Sequence, residues 1–207
     1  KLIHIVEAMG GGVFTYMVDL SNELIKDYDI YIAFSVRPQT PQDYYKYFDK
    51  RIHLIKVKNF VREINFYKDL KAFLEIKEIV KKIEPNFIHL HSSKAGALGR
   101  WALGTEDVPL FYTPHGYSFL MDSKSHIKRE FYKFIEIFLS RKKCITISCS
   151  KGEHDETLKF NKHAVYVNNG INLEELHKSI RLTCKIEEEH NEIGGATIFT
   201  SGRICYQ

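Results

Sequence analysis

Short apolar runs alternate with longer amphipathic stretches along most of this chain, and that alternation restricts its folds more than any other feature. Leu2 to Val6 is an apolar run that ends just before glycines at 10, 11 and 12. From Val13 the apolar residues fall at Phe14, Met17, Val18, Leu20, Leu24 and Ile25, which is helical spacing. Asp29 to Phe34 and Ile52 to Val57 read as strands, separated by a loop from Arg37 to Lys50. Ile64 to Ile83 has one apolar helix face and stops before Pro85. Phe87 to His91, Val108 to Thr113, Cys144 to Cys149 and Ala164 to Val167 complete the strands. Between them lie helical segments at Ala95 to Leu103, Ile127 to Leu139 and Lys151 to Phe160. Such alternation predicts an α/β fold: a Rossmann-like parallel sheet with helices on both faces and right-handed crossovers.

In sheets of this kind ligands bind beyond the carboxyl ends of the strands. The loops to inspect are therefore those at Gly10, Ser92, His115, Ser148 and Asn169. Gly10-Gly11-Gly12 opens a helix, where backbone N–H groups favour phosphate, although a tight turn alone would use glycine too. A dinucleotide fingerprint begun at Gly10 needs a third glycine where Thr15 stands, and the second strand runs out through Phe34, Ser35 and Val36 without an acidic ribose partner. A nicotinamide dehydrogenase is therefore disfavoured. His89 and His91 share one face of a strand, a spacing open to a metal but more usual for hydrogen-bonded interior residues. Ser92, Ser93 and Lys94 follow at the strand's carboxyl end, suited to phosphate or hydroxyl recognition, with Ser93 equally able to cap the next helix. His115, fixed between Pro114 and Gly116, is well placed to bond a substrate, although the motif by itself fits a structural role at least as well. Ser148 or Ser150 reads as a helix cap, and Asn168-Asn169-Gly170 as a turn.

The order of these motifs resembles the family 4 glycosyltransferases, retaining enzymes of two-domain GT-B architecture. The resemblance is carried by Gly10 to Gly12, the string His89 to Gly96, His115-Gly116-Tyr117-Ser118-Phe119, Ile147 to Ser150 and Asn169-Gly170-Ile171. It is closest to bacterial members that build capsular or exopolysaccharide repeat units. Ser201-Gly202-Arg203-Ile204 looks like the opening of the family's carboxyl-terminal domain. The expected organisation is an acceptor-side domain over 1–178, a linker over 179–195 and the first strand of a donor-binding domain over 196–207. Cys149 in Ile147-Ser148-Cys149-Ser150 departs from the family pattern without evident harm. The family's diphosphate lysine and paired glutamates would lie past Gln207, so these 207 residues alone are expected to be inactive.

The resemblance implies transfer of a sugar from a nucleotide sugar to a lipid-linked or oligosaccharide acceptor. It assigns His115 to the reacting centre and the N–H groups of Gly11 and Gly12, with Arg203, to the donor diphosphate. His91, Ser92, Ser93, Lys94, Gly116, Tyr117 and Ser118 would line the acceptor and donor loops, and Asn169 and Gly170 the crossover. No metal or other cofactor is expected. An epimerase of the same architecture and a non-catalytic glycan-binding module are the competing readings.

Composition narrows the setting. A net charge of +4 gives no reason to invoke nucleic acid. The four cysteines form no C-x-x-C pair, and no apolar run reaches the length of a membrane span. We therefore expect a reducing, cytoplasmic setting with no cleaved leader. The basic amphipathic stretch 126–143 fits peripheral docking on an anionic membrane, against the alternative that its apolar stripe packs on the sheet.

Overall fold

A computed structural model describes residues 1–170 except Arg62, Glu106, Asp122 and Ser123. Its compact unit, Lys1–Asn169, is built on one parallel seven-stranded sheet. The strands are β1 Leu2–Met9, β2 Ile30–Val36, β3 His53–Lys56, β4 Phe87–His91, β5 Leu110–Thr113, β6 Ile145–Ser148 and β7 Ala164–Tyr166. The helices are α1 Gly11–Leu24, α2 Phe66–Ile83, α3 Ser93–Leu103, α4 His126–Leu139 and α5 Lys151–Leu158. The expected boundaries at 178/179 and 195/196 lie outside the described residues, as do Cys184, Arg203 and Cys205.

The spatial order β3-β2-β1-β4-β5-β6-β7 explains why the site has a place to form. From β1 the chain first moves one way to β2 and β3, then returns to the other side of β1 for β4 onward. With right-handed crossovers, α1 covers one face and α2 to α5 the other. The loops after β1 and β4 consequently diverge, leaving a crevice at the topological switch point.

Period-two alternation sorts each strand between two cores. Ile3 and Ile5 of β1, Ile88 and Leu90 of β4 and Tyr112 of β5 join Ala72, Ile76, Ala95 and Leu98 of α2 and α3. Leu2 and Val6 pack with Ile30, Ile32 and Phe34 against Phe14 and Met17 of α1. His4 lies between Leu2 and Val6 in sequence and is in register with His89, so His4, His89 and His91 occupy the face under α1. This confirms the shared face read from His89 and His91.

Several boundaries differ from expectation. β1 runs on to Met9, because the next chain reversal comes only at the glycines. The stretch expected as loop from Arg37 to Lys50 contains a 3-10 turn, Tyr44–Tyr47, whose Tyr44 ring packs on Phe34. Cys144 and Cys149 flank β6 instead of lying inside it. Ser93 is already within α3: the cap position is Ser92, whose side chain makes no cap bond. At α5 the expected cap forms, with Ser150 Oγ accepting from the Glu153 N–H at 3.2 Å.

Candidate functional site

Backbone strain gathers at the carboxyl ends of the central strands. Ser92 after β4 has φ 73°, His115 after β5 has φ 54°, and Gly11 and Gly116 have φ 57° and 92°. A non-glycine residue in the left-handed region costs about 1–3 kcal/mol and persists only where the surroundings impose it. Two such residues on adjacent loops mark the place where the fold spends stability on geometry. The Ser92 N–H bonds the Thr113 carbonyl at 3.0 Å, joining the β4 and β5 ends. Glu153, buried in the first turn of α5, accepts from the Gly116 N–H at 2.7 Å and the Cys149 N–H at 3.0 Å. One carboxylate thereby holds the loop carrying His115 against the loop after β6.

A run of imidazoles leads into that loop from below. His4 Nδ1 lies 2.9 Å from His91 Nε2, and His91 Nδ1 lies 3.1 Å from His115 Nε2. His89 lies tilted against His91 with ring centroids 3.9 Å apart and bonds Thr113 Oγ1 at 2.8 Å. Tyr16, from the second turn of α1, sets its ring 4.8 Å from His115, edge to face. Burial pushes His4 down to about 3 and His115 to about 4. It also holds His89 and His91 well below 6.5, with repulsion between neighbouring imidazoliums adding to the effect. All four are neutral near pH 7. Burial lifts the Cys149 thiol to about 12, with the Glu153 carboxylate contributing, so Cys149 is no thiolate nucleophile.

His4, His89 and His91 also have ring nitrogens within 4.8 Å of one another, the spacing of a metal tripod. Both nitrogens of His91, however, are engaged by other histidines, so the arrangement works as a hydrogen-bonded chain.

The glycine turn is braced from the β2 side. The Glu7 carboxylate pairs with Arg37, Thr40 Oγ1 donates to the Met9 carbonyl, and a Cβ on Gly10 would sit 3.1 Å from that of Gln39. Gly11 and Gly12 are exposed at the start of α1, and a Cβ on Gly12 would meet nothing within 4 Å. That leaves the helix N-terminus open to an anion.

The structure brings His115, Gly116, Ser92, Ser93 and Ser118 together, with Ser118 Oγ donating to Ser93 Oγ at 3.2 Å. Three predicted residues behave differently. His91 is wholly buried, because its strand position faces α1 and both its nitrogens are used. Tyr117 is 1% exposed, its ring in the core and its hydroxyl on Thr157 at 2.8 Å. Lys94 turns back to α2, pairing with Asp69 at 2.7 Å and donating to the Glu63 carbonyl. Asn169 and Gly170 are exposed at the end of the described residues, and Arg203 lies outside them. Sequence reading missed His4, Tyr16 and Glu153. The polar residue within Leu2-Ile3-His4-Ile5-Val6 mirrors Phe87-Ile88-His89-Leu90-His91, a signal that was available for His4.

The sequence model of Glycosyltransferase Family 4 matches residues 10–175. An Escherichia coli UDP-Gal:alpha-D-GlcNAc-diphosphoundecaprenol alpha-1,3-galactosyltransferase is 34% identical over 112 residues, 53% of this chain and 28% of that protein. An uncharacterized 41.2 kDa protein in the cps region of Klebsiella pneumoniae is 29% identical over 203 residues, 93% of this chain and 53% of the relative. Sucrose-phosphate synthase from Thermosynechococcus elongatus shares the fold, with TM-score 0.66 at 15% identity, over 84% of this chain and 49% of that one. The chain thus spans about half the length of relatives matched along most of it.

Proposed function

Because this chain belongs to glycosyltransferase family 4, we propose that the whole protein moves a hexose from a nucleoside-diphosphate sugar to a lipid-diphosphate-linked glycan, with retention of configuration, in capsule or exopolysaccharide assembly. The observation that carries the reading is His115: a neutral imidazole in a strained turn, at the switch-point crevice, beside the open N-terminus of α1. The printed activity of the Escherichia coli relative supplies the classes of donor and acceptor. In this reading the N–H groups of Gly11 and Gly12 face the donor diphosphate, together with Arg203. His115 donates a hydrogen bond to the donor sugar or the reacting centre, where charge develops as the sugar–phosphate bond breaks. Ser92, Ser93 and Ser118 offer hydroxyls to the acceptor side. Protein groups neutralise the diphosphate, with no metal required, and the 207 residues alone do not catalyse transfer.

The acceptor class calls for work at a lipid surface. No described helix is long and apolar enough to cross a membrane. We assign the docking role to α4, from the cytoplasmic side, on the strength of its exposed aromatic stripe and basic flanks.

The test is transfer of radiolabelled sugar by the full-length protein, from a panel of UDP-sugars to a polyprenyl-diphosphate-linked GlcNAc. Product of retained configuration is expected, and His115→Ala lowers turnover about 10²–10³-fold, the usual loss of one transition-state donor. Near-normal turnover of His115→Ala removes its assignment, and epimerisation of the donor without acceptor replaces the transferase reading altogether.

A further inference from the structure

We propose that His91 and His4 are positioning residues that hold the proton of His115 on Nδ1, so that His115 meets its ligand as a hydrogen-bond donor. The inference rests on reading His115 as the substrate-contacting residue.

Three neutral imidazoles joined by two hydrogen bonds contain one proton each, and each bond uses one of them. Only two arrangements keep both bonds. In the first, His4 Nδ1–H donates to His91 Nε2 and His91 Nδ1–H donates to His115 Nε2. His115 then carries its proton on Nδ1, which faces the β6–α5 loop 4.0 Å from Cys149 Sγ. In the second, every donor points the other way. His115 gives its proton to the bond with His91, His91 to the bond with His4, and His4 is left with Nε2–H.

The closed end of the chain decides between them. His4 is fully buried, and its Nε2 has no hydrogen-bond partner among the described residues. The second arrangement strands an N–H there. The first leaves a bare ring nitrogen, and unpaired acceptors are tolerated in protein interiors more readily than unpaired N–H groups. The buried end therefore pushes donors outward along the column, and the spare N–H is left on His115 Nδ1, beside Cys149 Sγ. Anionic phosphate and sugar hydroxyl oxygens both accept from such a group. A substrate that accepts from Nδ1–H strengthens the same polarity, since hydrogen-bond chains polarise one another.

This assignment places His4, His91 and His115 all in the Nδ1–H form, the one that an isolated histidine side chain disfavours in water. Long-range ¹H–¹⁵N correlation spectra of the full-length protein with ¹⁵N-histidine read each tautomer directly. Three neutral Nδ1–H rings at pH 7.5 are expected; a His115 protonated on Nε2 overturns the inference. Two variants then test the coupling. In His91→Asn the side-chain amide reaches where Nδ1 stood and can still donate, so His115 keeps Nδ1–H. In His91→Leu the donor is lost, so His115 shifts toward Nε2–H and kcat falls at least tenfold with KM little changed. A His115 tautomer unmoved by His91→Leu refutes the coupling. If His91→Leu does not fold, the tautomers of the unsubstituted protein decide alone. Nδ1–H at His115 together with full turnover of His115→Ala would uphold the relay and refute the catalytic role, so the two ideas fail separately.

Discussion

Three histidines are shut away from water beneath α1 and a fourth, His115, is largely shielded beside them, which keeps all four neutral and has a consequence for folding. In the unfolded chain each imidazole protonates as pH falls through about 6.5. In the folded chain His4 resists until about 3 and His115 until about 4, with His89 and His91 also depressed. Between these values the unfolded state binds more protons, so stability rises with pH. It is fully present above about 6.5 and drains away as pH falls toward the folded values, by about 1.4 kcal/mol per pH unit for each such group. Urea denaturation at intervals from pH 7.5 to 5 should show this slope, and His4→Asn should flatten it by about one proton. An unfolding free energy independent of pH over that range contradicts the protonation states used here. A strand pattern shows that His89 and His91 share a face. It does not show that His4 and His115 complete a column, because register between strands and the turn at His115 depend on the whole sheet.

Among the elements, α3 shows how small residues set a distance. A Cβ on Gly96 would sit 2.1 Å from Tyr112 Cε2, and one on Gly99 2.4 Å from Leu90 Cδ2. Tyr112 cannot yield. It is fully buried, its hydroxyl donates to Glu136 at 3.0 Å, and Arg100 lies over its ring at 4.2 Å while pairing with Glu136 at 2.7 Å. Gly96→Ala should therefore destabilise by about 1–3 kcal/mol through overpacking. Gly12→Ala, with open space at its Cβ, should change stability little or raise it, since alanine suits a helix better than glycine by about 1 kcal/mol. Paired urea melts check the contrast, and equal effects at the two positions would contradict the packing account. The small residues of this helix are visible in the sequence. Their reason is not, because it lies in Tyr112 on the next strand and in an ion pair with α4. Glu136 likewise reads as a surface charge until Arg100 is seen beside it.

At the scale of the molecule, α4 carries apolar side chains on both its inward and its exposed faces. Its inward face carries Leu139, the partly buried Tyr132 and the buried Glu136, and Arg129 Nε donates to the Phe119 carbonyl at 2.9 Å. Ile127, Phe131, Phe134 and Phe138 fall instead on a stripe that is 51–81% exposed. The sequence shows the amphipathic pattern and the basic residues but not which residues turn inward, because the buried face mixes Tyr132 and Leu139 with a carboxylate whose partner, Arg100, lies on another helix. Aromatic rings exposed together call for a partner, and in the proposed docking role Lys128, Lys133, Arg141, Lys142 and Lys143, on or just after the same helix, would favour an anionic one. Since α4 follows the loop bearing His115, a membrane under this stripe would present lipid-linked acceptors close to the site. Vesicles of phosphatidylglycerol and phosphatidylethanolamine should therefore bind the protein, and pure phosphatidylcholine should not. Replacing Arg141, Lys142 and Lys143 with Ala removes about 1 kcal/mol per charge, so partitioning should fall about 10²-fold at low salt and less at high salt. Phe134→Ser with Phe138→Ser should weaken binding at every salt concentration, because what they remove is apolar burial. If both sets of substitutions leave vesicle binding unchanged, the stripe meets a protein partner and α4 is not the membrane anchor.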